Sequence, residues 1–151
     1  MISCAFEDGG KANLRHVVVD AIVLNAARDS ILMVKRAPHL LDGGKWGLVG
    51  GFLDRDETTK DAIIREVKEE TGYDATILRF LKTIDNPERG DDRQNVSFVY
   101  EVVAGEQTGK PDDESTEIKW FTFDKIPQKE TIAFDHSSII SEYLQYGKTS
   151  K

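Results

Sequence analysis

Apolar residues fill almost every position from His16 to Leu24 (His-Val-Val-Val-Asp-Ala-Ile-Val-Leu). A β-branched run of that kind predicts a strand buried on both faces, because a strand with one wet face would alternate. Asn25 to Ser30 is a turn, and Ile31 to Arg36 returns as the second strand of a hairpin. Pro38 and the Gly43-Gly44 pair make Ala37 to Gly44 a loop that leads into Lys45-Trp46-Gly47-Leu48-Val49-Gly50-Gly51. Further on, Ile77, Leu78, Phe80, Leu81 and Ile84 mark a strand over Ala75 to Ile84. Val96 to Val103 is another, antiparallel to it across a polar loop, Asp85 to Arg93, broken by Pro87 and Gly90. An acidic loop over Gly105 to Ser115 leads to a last strand, Glu117 to Phe123 around Trp120, and a turn at Asp124 to Pro127. Residues 1–14 show no comparable pattern and predict a loose opening.

Between the two groups of strands the period changes from two to between three and four. Ala62, Ile63 and Val67 recur at helical spacing, Thr58 or Thr59 is the candidate cap of the first turn, and Gly72 is placed to end the helix in a left-handed conformation. A second helix is expected over Asp135 to Tyr146, with Ile139, Ile140, Tyr143 and Leu144 on one face. Strands before and after one central helix, with a helix at the end, predict an α+β layered architecture.

The chain has 151 residues, enough for one domain with a proper core and too few for two comfortable ones. Its formal net charge of −7 argues against a general binder of nucleic acid or acidic membranes, which needs a basic face. Cys4 is the only cysteine, so no internal disulfide is expected, in keeping with a reducing, cytoplasmic setting. The first residues lack a basic start followed by an apolar run, and no stretch reaches membrane-spanning length.

The polar side of the central helix carries the chemistry. At about 100° per residue, Glu66 and Glu70 lie roughly 40° apart, and Glu69 flanks them, so three carboxylates share one edge. Like charges at this spacing repel, and a divalent cation is the natural compensation: hard ions such as Mg²⁺ take carboxylate oxygens, waters and substrate phosphates. Arg65 stands four residues before Glu69, where a guanidinium can hold a carboxylate in a fixed direction. The plain alternative is a solvated glutamate-rich face.

The order of residues decides between these two. Gly51, Glu57, Arg65-Glu66, the aliphatic Val67, Glu69-Glu70, Gly72 and the apolar Tyr73 stand at the spacing of the Nudix box, and from about residue 16 onward the chain resembles the Nudix hydrolases. Seven fixed identities at roughly one chance in fifteen each make an accidental match on the order of one in 10⁸ per starting position. Val49 and Asp56 depart from the usual Pro and Gly, which touches loop shape more than chemistry. The resemblance implies the Nudix fold, a mixed β-sheet sandwiched between α-helices, with the box at 51–73. It implies Mg²⁺ (with Mn²⁺ as substitute) held by Glu66, Glu69 and Glu70, with Glu57 nearby and a backbone ligand from Gly51. Arg65 orients, and Glu69 is the preferred base. A late-loop acid is the alternative base, chosen from Asp112, Asp113, Glu114 and Glu117 with Glu114 first. It also nominates Arg36 and Trp46 as substrate contacts, against the ordinary alternatives of a solvated strand end and a core aromatic.

Hydrolysis of a nucleoside diphosphate linked to another moiety is the activity so implied. Asn86-Pro87-Glu88-Arg89-Gly90-Asp91 followed by Val96-Ser97-Phe98 is similar to the loop and strand of bacterial ADP-ribose pyrophosphatases, which adds Pro87 and Arg89 to the substrate contacts and puts ADP-ribose or a nucleotide sugar first. Nucleoside triphosphates, ordinary or oxidised, come next, and a non-catalytic nucleotide sensor is the alternative of another class. A small nucleotide is thus the expected partner, with a second copy of the chain possible by analogy, since Nudix proteins are often dimers.

Overall fold

The protein is described by a computed structural model over residues 1–89 and 94–146. Its elements are β1 (Ile2–Ala5), β2 (Lys11–Leu14), β3 (Val17–Leu24), β4 (Ser30–Arg36), β5 (Trp46–Gly47), β6 (Val49–Phe52), α1 (Thr59–Thr71), β7 (Tyr73–Ile84), β8 (Val96–Gln107), β9 (Ser115–Thr122) and α2 (His136–Tyr146). Seven of the strands form one sheet in the order β5-β4-β3-β8-β7, with β6 beside β3 and β9 beside β4. The apolar run of β3 earns its composition by position. It pairs with β4 and β6 along one edge and, in parallel, with β8 along the other, from Val17 against Val96 to Leu24 against Val103.

Alternation along β3 and β4 then sends side chains to two separate cores. Val19, Ala21 and Val23 with Leu32 and Val34 meet Ala62, Ile63 and Val67 of α1. Ile22 and Leu24 with Ile31 and Met33 meet Ile139 and Ile140 of α2. The sheet is therefore the middle layer of a sandwich, which agrees with the α+β Nudix fold expected from the sequence. The one polar residue of β3, Asp20, falls on the α2 side and is 6% exposed.

Helix α1 is fixed at both ends by its own sequence. Of the two threonines, Thr58 is the cap: its Oγ1 accepts the Asp61 N–H at 3.2 Å while the Asp61 carboxylate accepts the Thr58 N–H, also at 3.2 Å. The Thr59 hydroxyl instead meets the Tyr100 hydroxyl at 2.6 Å. Gly72 ends the helix at φ 73, and a Cβ there would lie 2.4 Å from the Gly109 carbonyl oxygen.

Several boundaries differ from the expectation. Residues 1–14 are not structureless but form the antiparallel hairpin β1–β2, turned through Gly9 at φ 85. Nearly all of it is exposed, so no buried face imposed a period on the sequence. β7 starts at Tyr73 and β8 runs on to Gln107, because their ladder shifts register at three places and each shift breaks the alternation that marks a strand. The short β6, half glycine, has no strand pattern of its own and pairs with β3 from Val18 against Phe52 to Ala21 against Val49. Among the described residues no helix is long and apolar enough to cross a membrane.

Candidate functional site

Glycine at two successive positions brings α1 onto the sheet edge. A Cβ on Gly50 would lie 2.1 Å from the Val19 carbonyl oxygen, and one on Gly51 would lie 2.4 Å from Glu66 Oε1. Bare backbone at these points lets β6 pair with β3 while Glu66 rests on the β6 chain. The Gly50 N–H then donates to Glu70 Oε2 at 3.1 Å, so the strand just before the box and the box helix are joined directly.

Arg65 is the hub of the acidic edge. Its Nε and Nη2 donate to the two oxygens of Glu57 at 3.1 and 2.7 Å, its Nη1 to Glu66 Oε1 at 2.7 Å and Glu69 Oε2 at 3.0 Å, and its Nη2 also to the Phe52 carbonyl at 3.0 Å. These hydrogen bonds, Glu57 foremost, hold the guanidinium even further above its ordinary range. In return Arg65, with the Asp54 N–H, holds the Glu57 carboxyl below the usual carboxylate range. The glutamates nearer the cleft behave oppositely. Burial lifts Glu66, and the charges of Glu69 and Glu114 add to it against the pull of Arg65. Burial lifts Glu70 well above its ordinary value, aided by Glu66 and Asp112 and opposed by the Gly50 N–H.

The loop between β8 and β9 completes this wall. The Asp112 N–H donates to the Glu69 carbonyl at 2.9 Å, the Glu114 N–H to Asp112 Oδ1 at 3.0 Å, and the Ala37 N–H to the Glu114 carbonyl at 2.9 Å. Asp112 and Glu114 thereby line a cleft of about 860 Å³ together with Gly51, Arg65, Glu66, Glu69 and Glu70. Burial, then the charges of Asp113 and Glu69, raise the Asp112 carboxyl. Of the other late acids, Glu117 faces Lys35 at 3.7 Å on the sheet.

The opposite wall comes from segments far apart in the chain. Asp20 accepts from the Ser97 hydroxyl, and His136 Nε2 lies 3.4 Å from Asp20 Oδ1. The Leu48 N–H donates to His136 Nδ1 at 2.9 Å, which places the imidazole proton on Nε2, toward Asp20. Arg89 makes a two-pronged pair with Asp135 at 2.6 and 2.9 Å and stands 3.8 Å from Asp20. Burial pushes the Asp20 carboxyl up, but the hydrogen bonds from His136 and Ser97 and the nearby Arg89 charge outweigh it and leave it below the usual range. Beside this cluster, Arg36 Nε donates to the Leu41 carbonyl at 2.8 Å and its guanidinium lies 4.8 Å from the centre of the Phe134 ring.

The residues nominated from the sequence thus separate. Arg36, Gly51, Arg65, Glu66, Glu69, Glu70, Arg89 and Glu114 all line the cleft. Three do not. Glu57 stands behind Arg65, its oxygens taken by the guanidinium and the Asp54 N–H. Trp46 is a core aromatic rather than a cleft residue: it packs edge-on against Phe121 at 5.0 Å on the α2 side. Pro87 is exposed in the turn before Arg89, outside the cleft lining, because it is Arg89 that reaches inward. Gly90 and Asp91 of the same motif lie outside the described residues. The sequence reading missed Asp20, Asp42, Phe134, Asp135 and His136 and ranked Asp112 behind Glu114. The lone aspartate in an otherwise apolar strand was the signal available for Asp20.

Among the described residues no three carboxylates converge closely enough to form a ready metal cage, since Arg65 holds Glu66 and Glu69. The donor set nevertheless suits a hard divalent cation. Glu66, Glu69, Glu70, Asp112 and Glu114 are oxygen donors along one wall, and the mutual repulsion and burial that raise Glu66, Glu70 and Asp112 would be relieved by a bound positive ion.

A mixed sheet between two helices, with a glutamate-lined helix edge facing a polar cleft, defines a layered α+β protein whose acidic site suits a divalent cation and a phosphorylated ligand. Residues 14–143 match the family model described as NUDIX domain, and the chain belongs to the Nudix family. It is a Nudix hydrolase, with pyrophosphohydrolase activity of the Nudix type. An ADP-ribose pyrophosphatase of Methanocaldococcus jannaschii is 33% identical over 132 residues, covering 86% of this chain and 73% of the relative. Among solved structures, a bifunctional NMN adenylyltransferase/ADP ribose pyrophosphatase from Francisella tularensis is 29% identical with a TM-score of 0.68, over 87% of this chain and 41% of that one. A NUDIX hydrolase from Nitrosomonas europaea shares the fold at a TM-score of 0.79 and 22% identity, over 99% of this chain and 88% of that one.

Proposed function

We propose that this enzyme hydrolyses the pyrophosphate bond of a nucleoside diphosphate joined to another moiety, with ADP-ribose or a nucleotide sugar as substrate and Mg²⁺ as cofactor. The observation that carries the reading is the cleft lining: the oxygen donors Glu66, Glu69, Glu70, Asp112 and Glu114 share one cleft with the cationic side chain of Arg36 and the aromatic ring of Phe134. A substrate with a charged centre and two unlike ends suits such a cleft. The similarity to the archaeal ADP-ribose pyrophosphatase, shared along most of both chains, supports the choice of substrate.

Glu66, Glu69 and Glu70, with the Gly51 backbone and the late acids Asp112 and Glu114, would hold the cation. When bound, Mg²⁺ neutralises the diphosphate oxygens and acidifies a coordinated water. Arg65 keeps Glu66 and Glu69 directed along the same edge, and the Gly50 N–H fixes Glu70. Glu69 is the most exposed of the three, at 51% of its side chain, and takes the proton of the attacking water. The water oxygen bonds to one phosphorus, the bridging P–O bond breaks, and two phosphate monoesters leave. Arg36 balances negative charge on the substrate, while Arg89, paired with Asp135, holds the adjoining wall in place.

The test is release of phosphate monoesters from a panel of ADP-ribose, sugar nucleotides, dinucleoside polyphosphates and normal and oxidised triphosphates, each with Mg²⁺ and with a chelator. Preference for ADP-ribose or a sugar nucleotide, lost in chelator, is the expected result. Preference for triphosphates would overturn the substrate, activity in chelator would overturn the cofactor, and binding without turnover would favour a sensor.

A further inference from the structure

Phe134 is 43% exposed in the cleft lining, beside Asp42, Asp135 and His136, so burial in the core does not account for it. Its backbone nevertheless sits at φ 54, a left-handed conformation that is costly for a bulky side chain and persists only where the surroundings enforce it. They do so here. The Phe134 N–H donates to Asp42 Oδ2 at 2.9 Å, between segments 92 positions apart in the chain. Asp42 is itself left-handed, at φ 56, and its carboxylate is gripped by Lys45 at 2.8 Å. The ring is fixed as firmly as the backbone, by the Arg36 guanidinium at 4.8 Å and by the edge of His136 at 5.2 Å and 65°. Arg36 in turn is held by the Leu41 carbonyl.

Two strained residues joined by a hydrogen bond thus present one aromatic ring to the cleft in a set orientation. An orphan surface ring needs no such arrangement; a ring that must receive a flat partner does. We propose that Phe134 is the stacking platform for the nucleobase of the substrate, with Arg36 backing the ring while the diphosphate extends toward Glu66 and Glu70. The proposal rests on the reading that the substrate is a nucleoside diphosphate derivative. Stacking accepts any base, since each has a π-face, so Phe134 selects nucleosides over other phosphoanhydrides rather than one base over another.

Calorimetric titration of AMP and of ribose 5-phosphate, the two halves of ADP-ribose, separates base recognition from phosphate and sugar recognition. In Phe134→Ala and Phe134→Leu, AMP should bind roughly ten- to a hundredfold more weakly, whereas Phe134→Trp should keep its affinity and ribose 5-phosphate should bind all variants alike. Phe134→Gly suits the φ of 54 and guards against a folding artefact, and it should lose AMP to the same extent. Unchanged AMP affinity in Phe134→Ala, equal loss of both probes, or no AMP binding by the unaltered protein would overturn the platform. ADP-ribose turnover with AMP affinity indifferent to Phe134 would sink the platform alone. AMP affinity dependent on Phe134 without turnover of any diphosphate would sink the proposed activity alone.

Discussion

Glu70 is 5% exposed and is given one hydrogen bond among the described residues, the Gly50 N–H at 3.1 Å, while Glu66 and Asp112 press like charge on it. A carboxylate in that setting opposes folding once ionised. Glu70→Gln keeps the volume and an acceptor for the Gly50 N–H and removes the charge, so in chelator it should raise stability by about 1–3 kcal/mol at pH 8. For a chain of this length that corresponds to roughly 2–12 °C in the thermal midpoint. The pH dependence follows from the raised folded-state value. Below the unfolded carboxyl range both states hold the proton and the variants should coincide. As pH rises through that range the unfolded state releases its proton first, so the unaltered protein loses stability until pH passes the raised folded-state value, where the gap becomes constant. The assay is thermal unfolding of both proteins from pH 4 to pH 9 in chelator, repeated with Mg²⁺. Added Mg²⁺ should raise the midpoint of the unaltered protein more than that of Glu70→Gln, and the variant should lose most of its hydrolysis. Coincident midpoints at every pH in chelator would refute the burial argument, and an equal Mg²⁺ effect on both would remove Glu70 from the cation site.

Two further substitutions test the walls of the site. Gly50→Ala sets a Cβ 2.1 Å from the Val19 carbonyl oxygen, a backbone atom with little room to move, and should cost about 1–3 kcal/mol in urea unfolding. Asp20→Ala removes the acceptor shared by Ser97 and His136 and takes one of its two carboxylate neighbours among the described residues from Arg89, which should cost about 3–5 kcal/mol and lower the thermal midpoint by roughly 6–20 °C, with Asp20→Asn milder.

What could be read in the sequence was what local spacing encodes. The α1 edge, its Gly72 stop and the β3, β4 and β8 runs all carry their signal within a few residues. The second wall is barely marked: Arg89 stands out by its loop motif and Asp20 as a lone polar residue in an apolar strand, but Asp42 and His136 carry no local sign, because these segments meet only after the sheet has formed. Trp46 shows the limit of residue type: an aromatic before a glycine pair fits a cleft or a core, and only its contact with Phe121 decides. In β7 the register shifts erased the alternation, so composition indicated the strand but not its start.

The parallel ladder of β3 on β8 bears on how the chain is made. Val17–Leu24 is synthesised before the partner edge it needs, Val96–Val103, which emerges only after α1 and β7. Until then a β-branched segment with no polar face has one edge open to other chains, and pairing so distant in sequence is slow. Nascent or freshly diluted protein should therefore be prone to aggregate in proportion to its concentration, and β8 acts on β3 as an internal guard against self-association.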